Sequence, residues 1–358
     1  MLLKEDWRNT KQEFAKWWNG QQKKPLIQIL CPRSTGEKGY SKLPAWDSWE
    51  FLRYIDEPQK AVDLFEGWAA AHKFLGEAYP NLWLNLGPGV LAAYITGHLE
   101  FRTSTAWFEY AQEWDNVFKL LSNISEDNKW WQYTLKIAAL SAKRCQDKYV
   151  VGMTDLGGVT DILASLRGTE RLLIDVLEET DNVIHAHQMI VEFWHRCYDV
   201  LYNILSQYVE GTSTWMGLWC PGRWYPLQCD FAAMISPRAF EKVVLPYLEY
   251  QTQRLDYSIY HLDGPGEIPH LDILLNIKRL NGIQWVPGAG NENVDSERWL
   301  DLYRRIQAAG KLLVLQGIPA NRIPWLFERI SPEGVLVSTY CSTEEEAYRI
   351  LEWREKAG

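Results

Sequence analysis

The residues best suited to chemistry begin with His261-Leu262-Asp263, inside the apolar run YSIYHLDG. Side chains two apart on a strand project to the same face, so this imidazole and carboxylate stand together if the run is extended. Such a pair can ligate a metal, work as an acid–base couple, or form a structural hydrogen bond. Cys341 ends another apolar run, GVLVSTYC, where Val335, Val337, Thr339 and Cys341 share parity. Zinc accepts nitrogen, oxygen and sulfur donors, and three protein ligands leave a fourth position open. His261, Asp263 and Cys341 are therefore the expected metal ligands, although a free cysteine is also a common small core residue.

Asp155 precedes Gly157-Gly158 and, with Asp263, is an expected catalytic carboxylate; capping the Gly-Gly turn is its alternative role. Trp215, Trp219, Trp224 and Trp285 can supply apolar walls, and Trp215, Trp219 and Trp285 with Gln316 are expected to bind a cofactor. Asp230, just before a helix, reads as a cap. Cys220 and Cys229 share one loop, and Cys31 and Asn85 also close apolar runs. His98, His185, His187, His195 and His270 fall in helical contexts and are expected to play ordinary core or surface roles.

Eight apolar runs must position these groups: residues 25–30, 81–86, 148–155, 213–219, 257–264, 282–288, 311–317 and 334–341. Each is followed by helix-like periodicity, most clearly in NVIHAHQMIVEFWHRCYDVLYNILSQY. Parallel strands need a crossover at every return, so strict alternation implies a parallel sheet. The expected fold is α/β, a (β/α)8 barrel spanning 25–358 after a helical extension spanning 1–24. A doubly wound sheet is the runner-up, but no G-x-G-x-x-G follows the first run. Barrel sites form from the loops after the strands, where these polar, sulfur-bearing and aromatic residues gather. One such loop carries Arg33-Ser34-Thr35-Gly36. The tryptophans of the first 80 residues, Trp7, Trp17, Trp18, Trp46 and Trp49, suit either a lid or a homodimer contact.

The 358 residues are 47% hydrophobic and 23% charged, enough apolar matter for a large core. A net charge of −9 argues against nucleic-acid binding and against a polybasic membrane contact. No apolar run reaches the ~18 residues of a membrane span, and MLLKEDWRNT lacks an apolar signal core. Six scattered cysteines then read as free thiols in a reducing cytoplasm, which leaves the sequon at Asn123 without consequence. The 19 tryptophans stand out, since this side chain concentrates where flat apolar ligands are held, although a large aromatic core would also use them.

The segment VVGMTDLGGVTDILASLRGTERLLIDVLEETDNV resembles the third strand–helix unit of the uroporphyrinogen decarboxylase-like superfamily. The likeness continues through DFAAMISPRAFEKVVLPYLEYQ, with its "ISP…F…PYL" frame, and through HLDG and STYC. It spans roughly 80–350, is clearest over 149–265, and implies a (β/α)8 barrel. That superfamily holds cofactor-free porphyrinogen decarboxylases and zinc- and corrinoid-dependent methyltransferases. The decarboxylases grip substrate carboxylates with an arginine-rich N-terminal motif, of which PLIQILCPRSTGEKGY retains Arg33. The methyltransferases hold zinc with a His-x-Cys and a later Cys, matched here by His261 and Cys341, with Asp263 in place of the middle Cys. The resemblance therefore implies a methyltransferase using Zn2+, a corrinoid (cobalamin) or its carrier protein, and a small-molecule methyl acceptor. A metal-free decarboxylase of a porphyrin-like or aromatic carboxylic acid, with Arg33 and Arg223 as its grip, is the first alternative. A carbohydrate hydrolase is the second; it requires two opposed carboxylates, for which Asp155 and Asp263 are the pair to measure.

Overall fold

The computed structural model describes residues 1–33 and 44–356; Ser34, Thr35 and Gly36 lie outside them. Among the described residues eleven strands occur, in the order β1 (Leu26–Pro32), β2 (His72–Gly76), β3 (Asn81–Trp83), β4 (Glu100–Arg102), β5 (Thr105–Trp107) and β6 (Val150–Gly152). They continue as β7 (Trp224–Gln228), β8 (Tyr257–Asp263), β9 (Gly282–Val286), β10 (Leu312–Leu315) and β11 (Val335–Tyr340). A parallel run β7-β8-β9-β10-β11-β1 forms the central sheet, and β2 adds antiparallel to its β1 edge. β3 and β6 pair in parallel as a separate two-stranded sheet, and β4 and β5 form a small hairpin. Helices connect the parallel strands, so the α/β class is established. Among the described residues no ladder joins β1 to β3 or β6 to β7, so hydrogen-bonded closure into a barrel is not seen.

Seven of the eight expected runs contain a strand. The exception is 213–219, which holds no strand; the strand is WYPLQ, β7, just beyond it. Residues 213–217 instead cross the sheet, hydrogen-bonded to side chains and to a neighbouring loop. Gln28 donates to the Gly217 carbonyl (2.8 Å), Gln316 to that of Met216 (2.9 Å), and the Met153 amide to that of Ser213 (2.8 Å). The longest helix, Thr180–Leu205, buries Val183, Ile190, Trp194, Tyr198 and Leu201, the apolar stripe that its 3.6-residue periodicity demands. Ser236 caps the helix Pro237–Val243 by accepting from the Ala239 amide (3.2 Å), with Pro237 at the first helical position.

The N-terminal helix Trp7–Trp18 shares the main core through Phe14, Trp17 and Trp18. The Trp18 indole donates to the Trp219 carbonyl (2.8 Å), and its ring meets Trp224 and Tyr257 at 5.3 and 5.2 Å. Trp224 and Tyr257 are the first residues of β7 and β8, so this helix seals the end of the sheet opposite the strand C-termini.

Candidate functional site

Strand register sorts the side chains onto two faces. Gln228 pairs with His261 and His261 with Gln284, which pairs with Val314, two residues before Gln316. Val314 pairs with Leu336, and Ser338, two further on, pairs with Gln28. Registered neighbours project the same way. One face therefore carries Gln28, Gln228, His261, Asp263, Gln284, Gln316 and Ser338, four glutamines and the His-x-Asp pair. The other carries Ile27, Ile29, Leu262, Trp285, Val337 and Thr339 toward the helices.

At the C-terminal edge of that polar face, Asp230, His261 and Asp263 each offer a ligand atom, all within 4.8 Å of one another. Asp263 closes β8, and Asp230 opens the short turn Asp230–Met234 after β7. Asp161, from the helix Val159–Arg167, fixes that turn by accepting from the backbone amides of Asp230 (3.1 Å) and Phe231 (2.8 Å). Nδ1 of His261 meets Oε1 of Gln284 (2.6 Å), leaving Nε2 as the ring nitrogen free for another group. Trp215 stands edge-on to the imidazole, centroids 5.1 Å apart, and limits its tilt.

Cys341 was expected in this cluster, and the structure places it elsewhere. It continues the ladder past β11, its amide donating to the Leu30 carbonyl (2.9 Å), with the parity of Val337 and Thr339. Its thiol lies buried toward the last helix, Glu344–Lys356, and is pushed up to about 12, first by desolvation and then by the charge of Glu346. All six cysteines are buried and free, and Cys31, Cys220 and Cys229 are likewise absent from the cluster.

Asp155 is not among the three but feels the charge of Asp230. Its Oδ1 accepts from the Gly157 amide (2.8 Å), and its carboxyl is pushed up to about 7 by desolvation, with Asp230 adding to the rise. Asp161 is raised to about 7 for the same two reasons. Glu267, in the turn Pro265–His270, is raised to about 10 by burial and then by Asp230; one oxygen accepts from Tyr260 (3.1 Å) and the other has no partner. The Asp230 carboxyl is itself raised, first by desolvation and then by the charge of Asp263, against the opposing pull of His261. Five carboxyl groups thus converge where a cation would relieve their repulsion. The loops that hold Asp155 meet at glycines: Gly157 has φ +83°, and a Cβ there would lie 2.4 Å from the Gly89 Cα.

Of the tryptophans expected at the site, Trp215 meets the cluster. Trp285 faces the helices and packs on Trp299 (4.9 Å), because its register partner is Leu262 rather than His261. Trp219 donates to the Glu210 carbonyl (2.7 Å) and meets Trp7 (5.7 Å), at the end sealed by the N-terminal helix. Gln316 reaches the site through Gln284, donating onward to Met216. Arg33 donates to the Ala70 carbonyl (3.1 Å), and Arg223 pairs with Asp199 against Tyr198 and Tyr202, so neither joins the cluster. A cavity of about 700 Å3 opens beside Asp230 and Asp161, walled by Trp107, Phe108, Phe231 and Met234.

Sequence reasoning missed Asp161, Glu267 and Gln284 and took Asp230 for a cap. A usable signal was present: the runs PLIQIL, WYPLQ, GIQWV and LLVLQ each carry one glutamine amid apolar residues. Gln28, Gln228 and Gln284 are all buried, and such amides need partners.

The fold and site define an α/β protein with a histidine–carboxylate cluster at the C-terminal edge of a parallel sheet. No family model and no curated protein sequence matches the chain. Among solved structures, a methyltransferase from Methanosarcina mazei superposes with a TM-score of 0.56, covering 97% of this chain and 98% of that one at 11% identity. At that identity the likeness is one of fold. Among the described residues no helix is long and apolar enough to cross a membrane.

Proposed function

We propose that the protein is a metal-dependent methyltransferase whose divalent ion, zinc in the first instance, is held by Asp230, His261 and Asp263. The carrying observation is the convergence of three ligand atoms within 4.8 Å, beside three further carboxyls raised first by desolvation and then by the charge of Asp230. The donor set fits: one imidazole and two carboxylates match a divalent charge, and zinc accepts nitrogen and oxygen ligands. It contains no sulfur, unlike the His-x-Cys and Cys pattern of the resemblance. When bound, the ion lowers the pKa of a coordinated acceptor and so supplies a nucleophile at neutral pH.

The chain's own residues do the rest in this reading. Asp161 holds Asp230 in place through two backbone amides, Trp215 shields the imidazole from solvent, and Asp155 offers a carboxyl near neutrality for proton exchange. The cavity beside Asp230 would take the methyl acceptor, and the exposed side of Asp230 would be open to a corrinoid carrier protein, which would supply the methyl group. The eight strands β1, β3, β6 and β7 to β11 are read as a (β/α)8 barrel around this face, a reading supported by the parallel order of the central sheet and the parallel β3–β6 pair.

The test is metal analysis of protein purified without chelators, paired with demethylation of methylcobalamin followed by absorbance. About one ion per chain, lost in His261→Ala together with demethylation, is expected. Metal-free protein that binds no added divalent ion at micromolar concentrations overturns the proposal.

A further inference from the structure

Three hydrogen bonds run in series across neighbouring strands. His261 Nδ1 meets Gln284 Oε1 (2.6 Å), Gln284 Nε2 donates to Gln316 Oε1 (2.6 Å), and Gln316 Nε2 donates to the Met216 carbonyl (2.9 Å). The last member decides the direction of the whole series, because a backbone carbonyl can only accept. Gln316 must turn its NH2 toward Met216 and its oxygen toward Gln284. Gln284 must then turn its NH2 toward Gln316 and its oxygen toward His261. Reversing both amides would set the Gln316 oxygen against the Met216 oxygen at the same short distance, leaving two acceptors face to face in a partly buried place. The imidazole nitrogen facing Gln284 therefore carries the hydrogen.

We infer that Gln284 and Gln316 are positioning residues that hold neutral His261 in the Nδ1–H form, with the Nε2 lone pair free for a ligand. An unrestrained neutral imidazole favours the opposite tautomer, with its proton on Nε2, which cannot ligate through that atom. The relay acts through the segment 214–217, which the side chains of Gln28 and Gln316 pin to the sheet and which also brings Trp215 edge-on to the same ring. One loop thus sets both the tautomer and the tilt of the imidazole. The benefit to metal affinity rests on the function proposed above; the tautomer itself does not.

The experiment reads the ring nitrogens and Cδ2 of His261 by NMR in metal-free, isotope-labelled full-length protein, at a pH where the ring is neutral, with His261→Asn identifying the resonances. Wild type is expected to show the Nδ1–H pattern. Gln284→Leu is expected to shift it to the Nε2–H pattern. Gln316→Leu, which removes no atom in contact with His261, frees Gln284 to flip and is expected to give a mixture. Gln284→Glu keeps the acceptor and retains Nδ1–H. Zinc titration of the same proteins should show a 10–100-fold weaker Kd for Gln284→Leu, the usual loss when an outer partner of a metal-bound histidine is removed. An Nε2–H pattern in wild type, or an unchanged pattern in both leucine variants, overturns the relay. A confirmed tautomer in a protein that binds no zinc leaves the relay standing and defeats the metal-dependent reading instead.

Discussion

Replacing Asp230 with Asn should make the empty protein more stable and the metal-loaded protein less so. Asp230 and Asp263 present oxygens no more than 4.8 Å apart. Two unit charges at that separation repel by about 3.5 kcal/mol at an effective dielectric constant of ~20. Asp230 opens to solvent, so about half of this, roughly 1.5–2 kcal/mol, is the relief expected. A chain of 358 residues has an unfolding entropy of about 0.75 kcal/mol/K near its midpoint, so Tm should rise by about 2 °C. The same change removes one ligand and one negative charge, so zinc affinity should fall by at least about 10–100-fold, and the metal-induced rise in Tm should shrink with it. Scanning calorimetry with chelator and with zinc, for wild type and variant, measures both effects. A variant whose metal-free Tm is unchanged or lower, with zinc binding intact, would refute the electrostatic reasoning.

Cys341→Ser should leave zinc stoichiometry and Kd within twofold of wild type while costing about 1–2 kcal/mol for a hydroxyl placed in a buried apolar site; denaturant unfolding and metal titration check the two halves. Gly157→Ala combines a left-handed backbone with a contact against the Gly89 Cα at 2.4 Å, so a loss of about 2–4 kcal/mol is expected by chemical denaturation. The pH dependence follows from Asp155 and Asp161, raised from 3.8 to about 7, and Glu267, raised from 4.5 to about 10. The folded chain holds protons there that the unfolded chain releases, so their stabilising effect is complete below about pH 4. It is lost as pH rises through 7, and further toward 10 for Glu267. The Tm of metal-free protein should therefore fall between pH 5 and 9. The stabilisation by zinc should grow over the same interval, and a metal-free Tm that rises with pH contradicts the crowded, protonated carboxyls.

The α/β alternation was legible because apolar strand runs, bounding glycines and 3.6-residue helical stripes each mark one element locally. His261 and Asp263 were legible for a similar reason, since two polar residues at a spacing of two inside an apolar run can only share a face. The side of the sheet to which β11 turns Cys341 was not. Val335, Leu336 and Val337 are all buried, and a strand covered on both faces shows no alternation to say which side Cys341 takes. Residues 213–219 were misread as a strand because their aromatic composition suits one, whereas glutamine amides from β1 and from the end of β10 hold part of that segment as a cross-piece.

By itself, then, the sequence determined the class of fold, seven of its parallel strands and the His-x-Asp pair, all of which depend on neighbours within one strand or helix. Tertiary structure alone decided that Asp230 rather than Cys341 joins that pair, that Trp285 turns away from it, and that Gln284 links it to Gln316. Those choices depend on register between strands distant in the chain, and register is fixed by packing over the whole sheet rather than by any local run of residues.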